Sequence, residues 1–507
     1  MTTLDAISLT LPLPFPLDRA RTQPLPELRV TPDWKDQRRL WGHSFHPMCS
    51  YLGSFPAPLA HAFIARLSRP GDVVLDPFSG RGTVPLQACA TRRIGVGIDA
   101  NPLASVLTGA KVDPPARLQV QARLSELRLD WLAESIDWLT VARTGHEALI
   151  ERGSGGLEML PPAVVSAFHP VALAQVLFLR RRLRLEDRTD RFLAAALLGI
   201  LHGGSSGYVS DVMPNGFSLA PAYVAHGIRE RGRGPSERDV MALLAAKVRR
   251  LFRDGAPRTR GVALHGDARE AGPHLRHALI ERGLPDRARL VITSPPYLRT
   301  LRYGAANWLR LWFLGQEPTA VDRVLDAPHS PADLARLLGE VLASLRDALT
   351  DDAAVALVIG DVATDRGKAR GGDHDLTTQI WETAAEPLGY RLAGVIADPV
   401  AANRKLTRLW GAEAGRATDT DRILLLGATE LGRRRALASL GSPVDWAWPP
   451  RPTPTFQPIL GRDAADVPPG RPRSHGPAGA HEEPRPRAED LAPALLRAPA
   501  ADAPVPA

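Results

Sequence analysis

The sequence predicts an α/β fold built on a mostly parallel sheet and interrupted by a large helical insertion. Three observations carry this. Short apolar runs alternate with helical patterns in two blocks, residues 41–112 and 256–430. A glycine-rich turn, SGRGT at 79–83, joins the first strand pattern to a helix. Between the blocks, residues 113–255 carry mainly helical spacing.

In the first block, a helical pattern runs from Pro58 to Leu67. DVVLDPF (72–78) reads as a buried strand through Val73, Val74 and Leu75. VPLQACATR is helical, and IGVGID (94–99) is a second strand. This β–turn–α–β order is the signature of a parallel sheet. The insertion shows helical spacing in ARLQVQARLSELRLDWLAESIDWL, AVVSAFHPVALAQVLFLRRRL, DRFLAAALLGILHGG and SERDVMALLAAKVRRLF. A long turn-rich stretch, GGSSGYVSDVMPNGFSLAPAYV, lies before the last of these. Loops of such length inside a folded domain are commonly functional.

The strand pattern resumes with GVALHGDAR (261–269) and RLVITSPPY (289–297). An amphipathic helix, LARLLGEVLASLRDAL (334–349), precedes strands at 353–362, 390–400 and 421–427. Residues 1–40 are expected to be an irregular arm. Residues 431–507 are expected to be a linker and, from Pro449, a disordered Pro- and Ala-rich tail.

Composition narrows the function. Hydrophobic content of 44% and charged content of 23% are those of a globular protein. No stretch reaches the ~18 apolar residues of a membrane span, and the N-terminus has no signal-peptide pattern. Two cysteines, Cys49 and Cys89, make a disulfide framework or cysteine-rich zinc site implausible, so the cytoplasm is the expected compartment. The net charge of +8 and pI of 9.9 are compatible with a polyanionic partner. They are equally what an arginine-rich proteome gives.

Gly80 and Gly82 follow a strand and open a helix, where glycine lets backbone amides approach a ligand. Asp99 ends the next strand, where a carboxylate can accept both hydroxyls of a ribose. Two details argue against a dinucleotide. Pro85 stands where the third glycine of the dinucleotide fingerprint belongs, and Asp76 precedes the glycines, where it would repel a pyrophosphate. A phosphate-free cation fits better, and S-adenosylmethionine is one.

The stretch Ser294-Pro295-Pro296-Tyr297 ends a core strand in a stiff elbow. The Ser294 hydroxyl and the Pro295 carbonyl can both accept hydrogen bonds from an exocyclic amine. That localises the nitrogen lone pair for attack on a methyl group. Tyr297 can stack on the base carrying the amine. An amine paired inside duplex DNA is unreachable, so its base must flip out.

DPFSGRGT, GVGIDANPLA and TSPPY together resemble the S-adenosylmethionine-dependent amino-methyltransferases of DNA, which act on cytosine N4 or adenine N6. The resemblance implies a Rossmann-like methyltransferase fold whose last strand is antiparallel. It implies a cofactor site at Phe78, Gly80, Gly82 and Thr83 of the turn, with Asp76 before it and Asp99 and Ala100 after the second strand. The segment from His46 and Pro47 through Tyr51, Phe55, Pro56 and Pro58 resembles the motif that encloses the methionine part. LHGDARE, with Asp267 and Ala268, resembles the segment that reaches the adenine amine of the cofactor. The tetrapeptide is commonly DPPY or NPPY in adenine enzymes and SPPY in cytosine-N4 enzymes, so Ser294 favours cytosine N4. The implied partner is double-stranded DNA, with a cognate restriction nuclease as a further candidate. The insertion, lying between Asp99 and Asp267, is a candidate target-recognition region. Adenine N6, an RNA base and a catalytically inactive DNA-binding subunit remain as alternatives. Ser294 also argues against a protein-glutamine methyltransferase, a family that usually shows NPPY.

Other residues carry weaker signals. Tyr303, Trp308 and Trp312 read mainly as core packing, although Tyr303 can line a base pocket. Arg404, Lys405 and Arg408 form a basic loop suited to phosphate or to solvent. RRRLRL at 180–185 reads as a helix face. His43 and His46 near Cys49 lack a complementary ligand set, so no metal is expected. If DNA is bound through its phosphates, affinity falls steeply with added salt; binding indifferent to salt in a filter or anisotropy titration contradicts that interface.

Overall fold

A computed structural model describes residues 25–38, 41–51, 53, 56–144, 146–147, 158–213, 221, 224, 228, 232, 234–296, 302–325, 328–362, 376–399 and 417–448. Its centre is a seven-stranded sheet. The strands are β1 (Val73–Asp76), β2 (Ile94–Asp99), β3 (Val262–His265), β4 (Ala288–Thr293), β5 (Leu349–Val362), β6 (Arg391–Pro399) and β7 (Ala417–Gly427). Their spatial order is β3-β2-β1-β4-β5-β7-β6. The pairs from β3 to β5 are all parallel. β7, the last strand of the chain, inserts between β5 and β6 and is antiparallel to both. This is the Rossmann-like methyltransferase arrangement expected from the sequence.

Strand residues alternate between the two faces, as the pleat requires. Val74, Leu290, Ile292, Ala354, Ala356 and Ile423 pack on one side against α1 (Ala57–Leu67) and α2 (Thr83–Ala90). Val73, Leu75, Val291, Val355 and Leu424 face the other side. Because both faces are covered, these strands read as continuous apolar runs. α3 (Pro102–Val112) follows β2 and starts on Asn101, whose side chain accepts from Leu103 N at 3.0 Å.

The insertion contains α4 (Arg117–Leu132), α5 (Trp138–Thr144), α6 (Pro162–Ala167), α7 (Pro170–Arg182), α8 (Arg188–Leu198) and α9 (Val240–Leu251). A small antiparallel hairpin pairs 146–147 with 158–159, which the helical spacing does not foretell. Phe178, Phe192, Leu193 and Leu244 of the insertion join Phe45, Met48, Leu103, Leu107 and Leu309 in one buried cluster. The insertion shares its core with the sheet domain, so the boundaries drawn at 113 and 255 mark no separable unit.

The remaining helices are α10 (Ala271–Ile280), α11 (Tyr303–Ala306), α12 (Trp308–Phe313), α13 (Pro318–Leu325), α14 (Pro331–Leu345), α15 (Leu376–Ile380) and α16 (Glu430–Leu440). α10 and α14 cover the second face of the sheet. The arm is irregular over 25–38, apart from a 3-10 turn at Asp33–Asp36, but it is docked. Leu28 N donates to Val395 O at 2.7 Å, and the Trp34 indole donates to Asp398 at 3.2 Å.

The linker expected from residue 431 is corrected by α16, which packs onto the sheet. Its closest contact is made by small residues, with Leu440 and Leu437 packing at its C-terminal end. A Cβ on Gly432 would lie 2.3 Å from the Ala353 carbonyl oxygen, and Ala436 is fully buried. Apolar periodicity is blind to such a face, because glycine and alanine carry little hydrophobic signal. Beyond α16, Trp446 and Trp448 pack edge-on against Trp41 at 5.4 and 5.3 Å. The tail from Pro449, the first 24 residues and the 404–408 basic loop lie outside the described residues.

Gly432→Ala therefore lowers stability by about 1–3 kcal/mol through overpacking. Leu431→Ala, at a side chain 59% exposed, stays within about 0.5 kcal/mol. Urea midpoints of the two variants check this; equal midpoints contradict the close contact.

Candidate active site

A cleft opens at the C-terminal ends of β1 to β4, where strand order reverses direction about β1 and β4. Ligands of open α/β sheets bind in this position. Its walls include Tyr51, Gly53, Pro77, Phe78, Gly80, Asp99, Ala100, Asn101, Asp267, Ala268, Arg269, Ser294, Pro296 and Tyr303. Val324, Leu325, Pro328, His329, Asp333, Arg336 and Leu337 form the opposite side.

The turn after β1 is shaped by two left-handed glycines, Gly80 at φ +51° and Gly82 at φ +75°. A Cβ on Gly82 would stand 2.7 Å from the Thr108 hydroxyl, so this glycine lets α2 close on α3. At Gly80 a Cβ would instead meet the Tyr51 ring at 3.4 Å. Lys111, fully buried, donates from its Nζ to the Arg81 carbonyl and braces the turn from beneath. Burial holds that lysine's pKa well below its ordinary value.

Asp99 sits at the cleft floor. Its carboxylate accepts from Gly80 N at 2.7 Å and from Asn101 N at 2.8 Å. Burial pushes it up to about 6, against the pull of those two backbone bonds. A carboxylate has about four acceptor sites, so two remain for ligand hydroxyls. The buried Asn101 side chain donates to the Tyr51 hydroxyl at 3.0 Å. Tyr51 in turn stacks on Tyr303, ring centroids 6.1 Å apart at 25°. Asp267 is gripped by Arg269, whose Nε lies 3.0 Å from both carboxylate oxygens. The guanidinium hydrogen bonds and backbone N–H hold this carboxyl below its usual range.

Asp76 is placed differently from the cofactor role expected of it. It is 2% exposed and does not line the cleft. Its carboxyl accepts from the Thr293 hydroxyl at 2.6 Å and from Phe78 N at 3.1 Å. Burial raises it to about 7, over the opposing effect of these bonds. The group ties the end of β1 to the end of β4, one residue before Ser294.

Other expected residues divide in the same way. Tyr51, Phe78, Gly80, Asp99, Ala100, Asp267, Ala268, Ser294 and Pro296 meet in the cleft. Gly82 and Thr83 act beneath it, at the start of α2, and Thr83 is 4% exposed. Pro56 caps α1 away from the lining, and Pro295 is buried behind it. Phe55 and Tyr297 lie outside the described residues. Tyr303 lines the cleft, whereas Trp308 is buried in the core and Trp312 packs beneath Arg180 at 4.9 Å.

The His46 ring bonds Gln87 at 2.9 Å, and Gln87 bonds His61 at 3.0 Å. Burial keeps His43 down at about 4 and His46 well below its usual value, so both are neutral near pH 7. Among the described residues no group of three His, Cys, Asp or Glu side chains could hold a metal ion.

Sequence reasoning missed Asn101, Thr293, Lys111, Arg269 and the opposite wall. Asn-Pro at the head of α3 is a readable N-cap signal. The opposite wall leaves none: part of it lies on the first turns of α14, whose periodicity marks its buried face but not what its polar face lines, and the rest on α13 and the loop after it.

Comparison with known proteins points to the same chemistry. Residues 28–105 match the N6/N4 family model described as DNA methylase.

The match covers the cofactor turn, Asp99 and the segment through Tyr51, and it agrees with the resemblance seen in the motifs. Two relatives are the type II methyltransferases M.Cfr9I of Citrobacter freundii, 36% identical over 70 residues, and M.XycI of Xanthomonas campestris pv. cyanopsidis, 38% over 69. The shared regions are 14% and 13% of this chain and 23% of each relative, so the chain spans about a quarter of the length of the curated relatives it matches. Two structures of the rRNA methyltransferase aviRa from Streptomyces viridochromogenes align over 76% of this chain. They cover 88% and 93% of aviRa at 12% and 13% identity, with TM-scores of 0.29 and 0.27.

The methyl donor of the matched family, S-adenosylmethionine, fits the cleft. Asp99 retains acceptor sites for ligand hydroxyls. Asp267 is paired with Arg269, and among the described residues the lining offers no cluster of cations to draw a phosphate group beyond Arg269 and Arg336. Because burial raises Asp99 to about 6, its carboxylate form increases as pH rises through 6, and if Asp99 binds the cofactor, affinity is expected to rise with it. Calorimetry on the wild type should show that rise. In Asp99→Asn, affinity should be roughly tenfold weaker or more and flat across the same range. An unchanged affinity in the variant removes Asp99 from the cofactor site.

Proposed function

We propose that this protein is a DNA methyltransferase that transfers a methyl group from S-adenosylmethionine to an exocyclic amine of a flipped base, with cytosine N4 as the target. The observation that carries the reading is the single cleft joining the Asp99 and Asp267 floor to Ser294 and Pro296. The DNA methylase match supports it over the cofactor half.

Bound S-adenosylmethionine supplies a methyl group made electrophilic by its sulfonium. The chain's own part is binding and aim. Asp99 holds ribose hydroxyls, and Asp267 holds the adenine amine. Ser294 Oγ and the Pro295 carbonyl accept hydrogen bonds from the two N–H groups of the target amine, which localises its lone pair away from the ring, and the methylated nitrogen gives up one proton to water. Tyr297 stacks on the base. Positioning and electrostatics supply the rate, without a covalent intermediate. The residue before the double proline carries the choice of base. Serine favours cytosine N4 on the family tendency, and adenine N6 is the second reading through the same chemistry. The insertion is assigned target recognition, the compartment is cytoplasmic, and a restriction nuclease of matching specificity is the expected companion.

Expression in a methylation-free host, followed by nucleoside mass spectrometry of its DNA and RNA, tests this. N4-methylcytosine in DNA is the expected product. N6-methyladenine moves the target while keeping the mechanism, and a mark in RNA alone overturns DNA as substrate. Ser294→Ala should cut turnover at saturating cofactor by roughly a hundredfold while leaving cofactor affinity within about twofold. Reduced affinity with intact turnover contradicts its role.

A further inference from the structure

Arg310 is 1% exposed, a full positive charge inside the molecule. Three of its hydrogen bonds go to neutral oxygens. Its Nε donates to the Leu198 carbonyl at 3.2 Å, and Nη1 donates to the Ser50 carbonyl at 3.0 Å and to Asn307 Oδ1 at 2.8 Å. Leu198 is the last residue of α8, whose terminal carbonyls lack helical partners and carry the negative end of the dipole. Asn307 passes the arrangement on. Its amide donates to the Tyr303 carbonyl at 2.9 Å.

The consequence is geometric. Arg310 fixes the backbone one residue before Tyr51 and, through Asn307, the backbone of Tyr303. These are the two rings stacked in the cleft wall. Tyr51 lies over Gly80, on the cofactor side. Tyr303 continues the aromatic surface along the wall that also holds Ser294 and Pro296. A planar base delivered to Ser294 needs such a face beside it, because an unpaired base loses its stacking partners on leaving the duplex.

We propose that Tyr303 contacts the substrate base beside Ser294, and that Asn307 and Arg310 are positioning residues that hold it there. This rests on the amino-methylation reading above. It also gives the insertion a direct connection to the cleft, since the Leu198 carbonyl shares the guanidinium that sets both rings.

The test measures transfer of labelled methyl groups from S-adenosylmethionine to unmethylated plasmid DNA, alongside cofactor Kd by calorimetry. Tyr303→Leu keeps apolar packing against Tyr51 without a π face. It should lose turnover about tenfold while cofactor Kd stays within about twofold. Tyr303→Phe should keep turnover within about twofold of wild type. Asn307→Ala should lose part of the rate and add nothing further in the Tyr303→Leu background, because it acts through that ring. Wild-type turnover in Tyr303→Leu, or losses that multiply in the double variant, overturns the proposal. A wild-type protein that methylates no DNA overturns the functional reading itself, and a variant effect confined to Kd places Tyr303 in the cofactor site instead.

Discussion

The site depends on how the ends of β1 and β4 are held in register, and the side chain of Asp76 does this. A parallel pair of strands fixes spacing along the sheet but leaves the loops beyond it to find their own positions. Here the buried carboxyl spans that gap, accepting from Thr293 at the end of β4 and from Phe78 in the turn after β1. The cofactor turn and the SPPY elbow thereby become one frame. The cost is a carboxyl kept out of water, visible as a pKa raised to about 7 by burial. Two hydrogen bonds offset part of that penalty. The bonds make Asp76 a structural link between motifs.

The same balance recurs around the cleft. Lys111 and Arg310 are removed from solvent and Asp99 is half-buried at the cleft, and all three bond backbone groups. Backbone partners are fixed by the fold, so the charged side chains inherit its rigidity. A cleft lined this way is organised before any ligand arrives, which is what catalysis by positioning requires.

The sheet was legible because its strands are covered on both faces and separated by glycine and proline signals. All seven strands overlap segments with apolar strand patterns, although β5 and β7 begin earlier than those patterns, at Leu349 and Ala417. Asp99 and Ser294 were readable as cleft residues because they stand at the ends of buried strands at the C-terminal edge of the sheet, although Asp76 shows that a polar residue in such a position can serve the fold instead. What escaped reading was tertiary. The burial of Asp76 and its bond to Thr293 depend on β1 and β4 being neighbours, which spacing does not encode. α16 escaped because it packs through Gly432 and Ala436. The insertion's helices were visible in their periodicity. Their fusion with Phe45, Leu103 and Leu309 was not, since a buried helix looks the same whichever core it enters.

That fusion bears on how such a protein can change over generations. A recognition module joined by two linkers can be exchanged between relatives like a cassette. This insertion is instead anchored in the same packed interior as the segment before the cofactor turn and the helices after β4. A borrowed replacement would have to refill that interior and supply a carbonyl for Arg310 at the same spot. Change in this region is therefore easiest at its outward-facing residues, whereas its buried face is tied to the rest of the molecule.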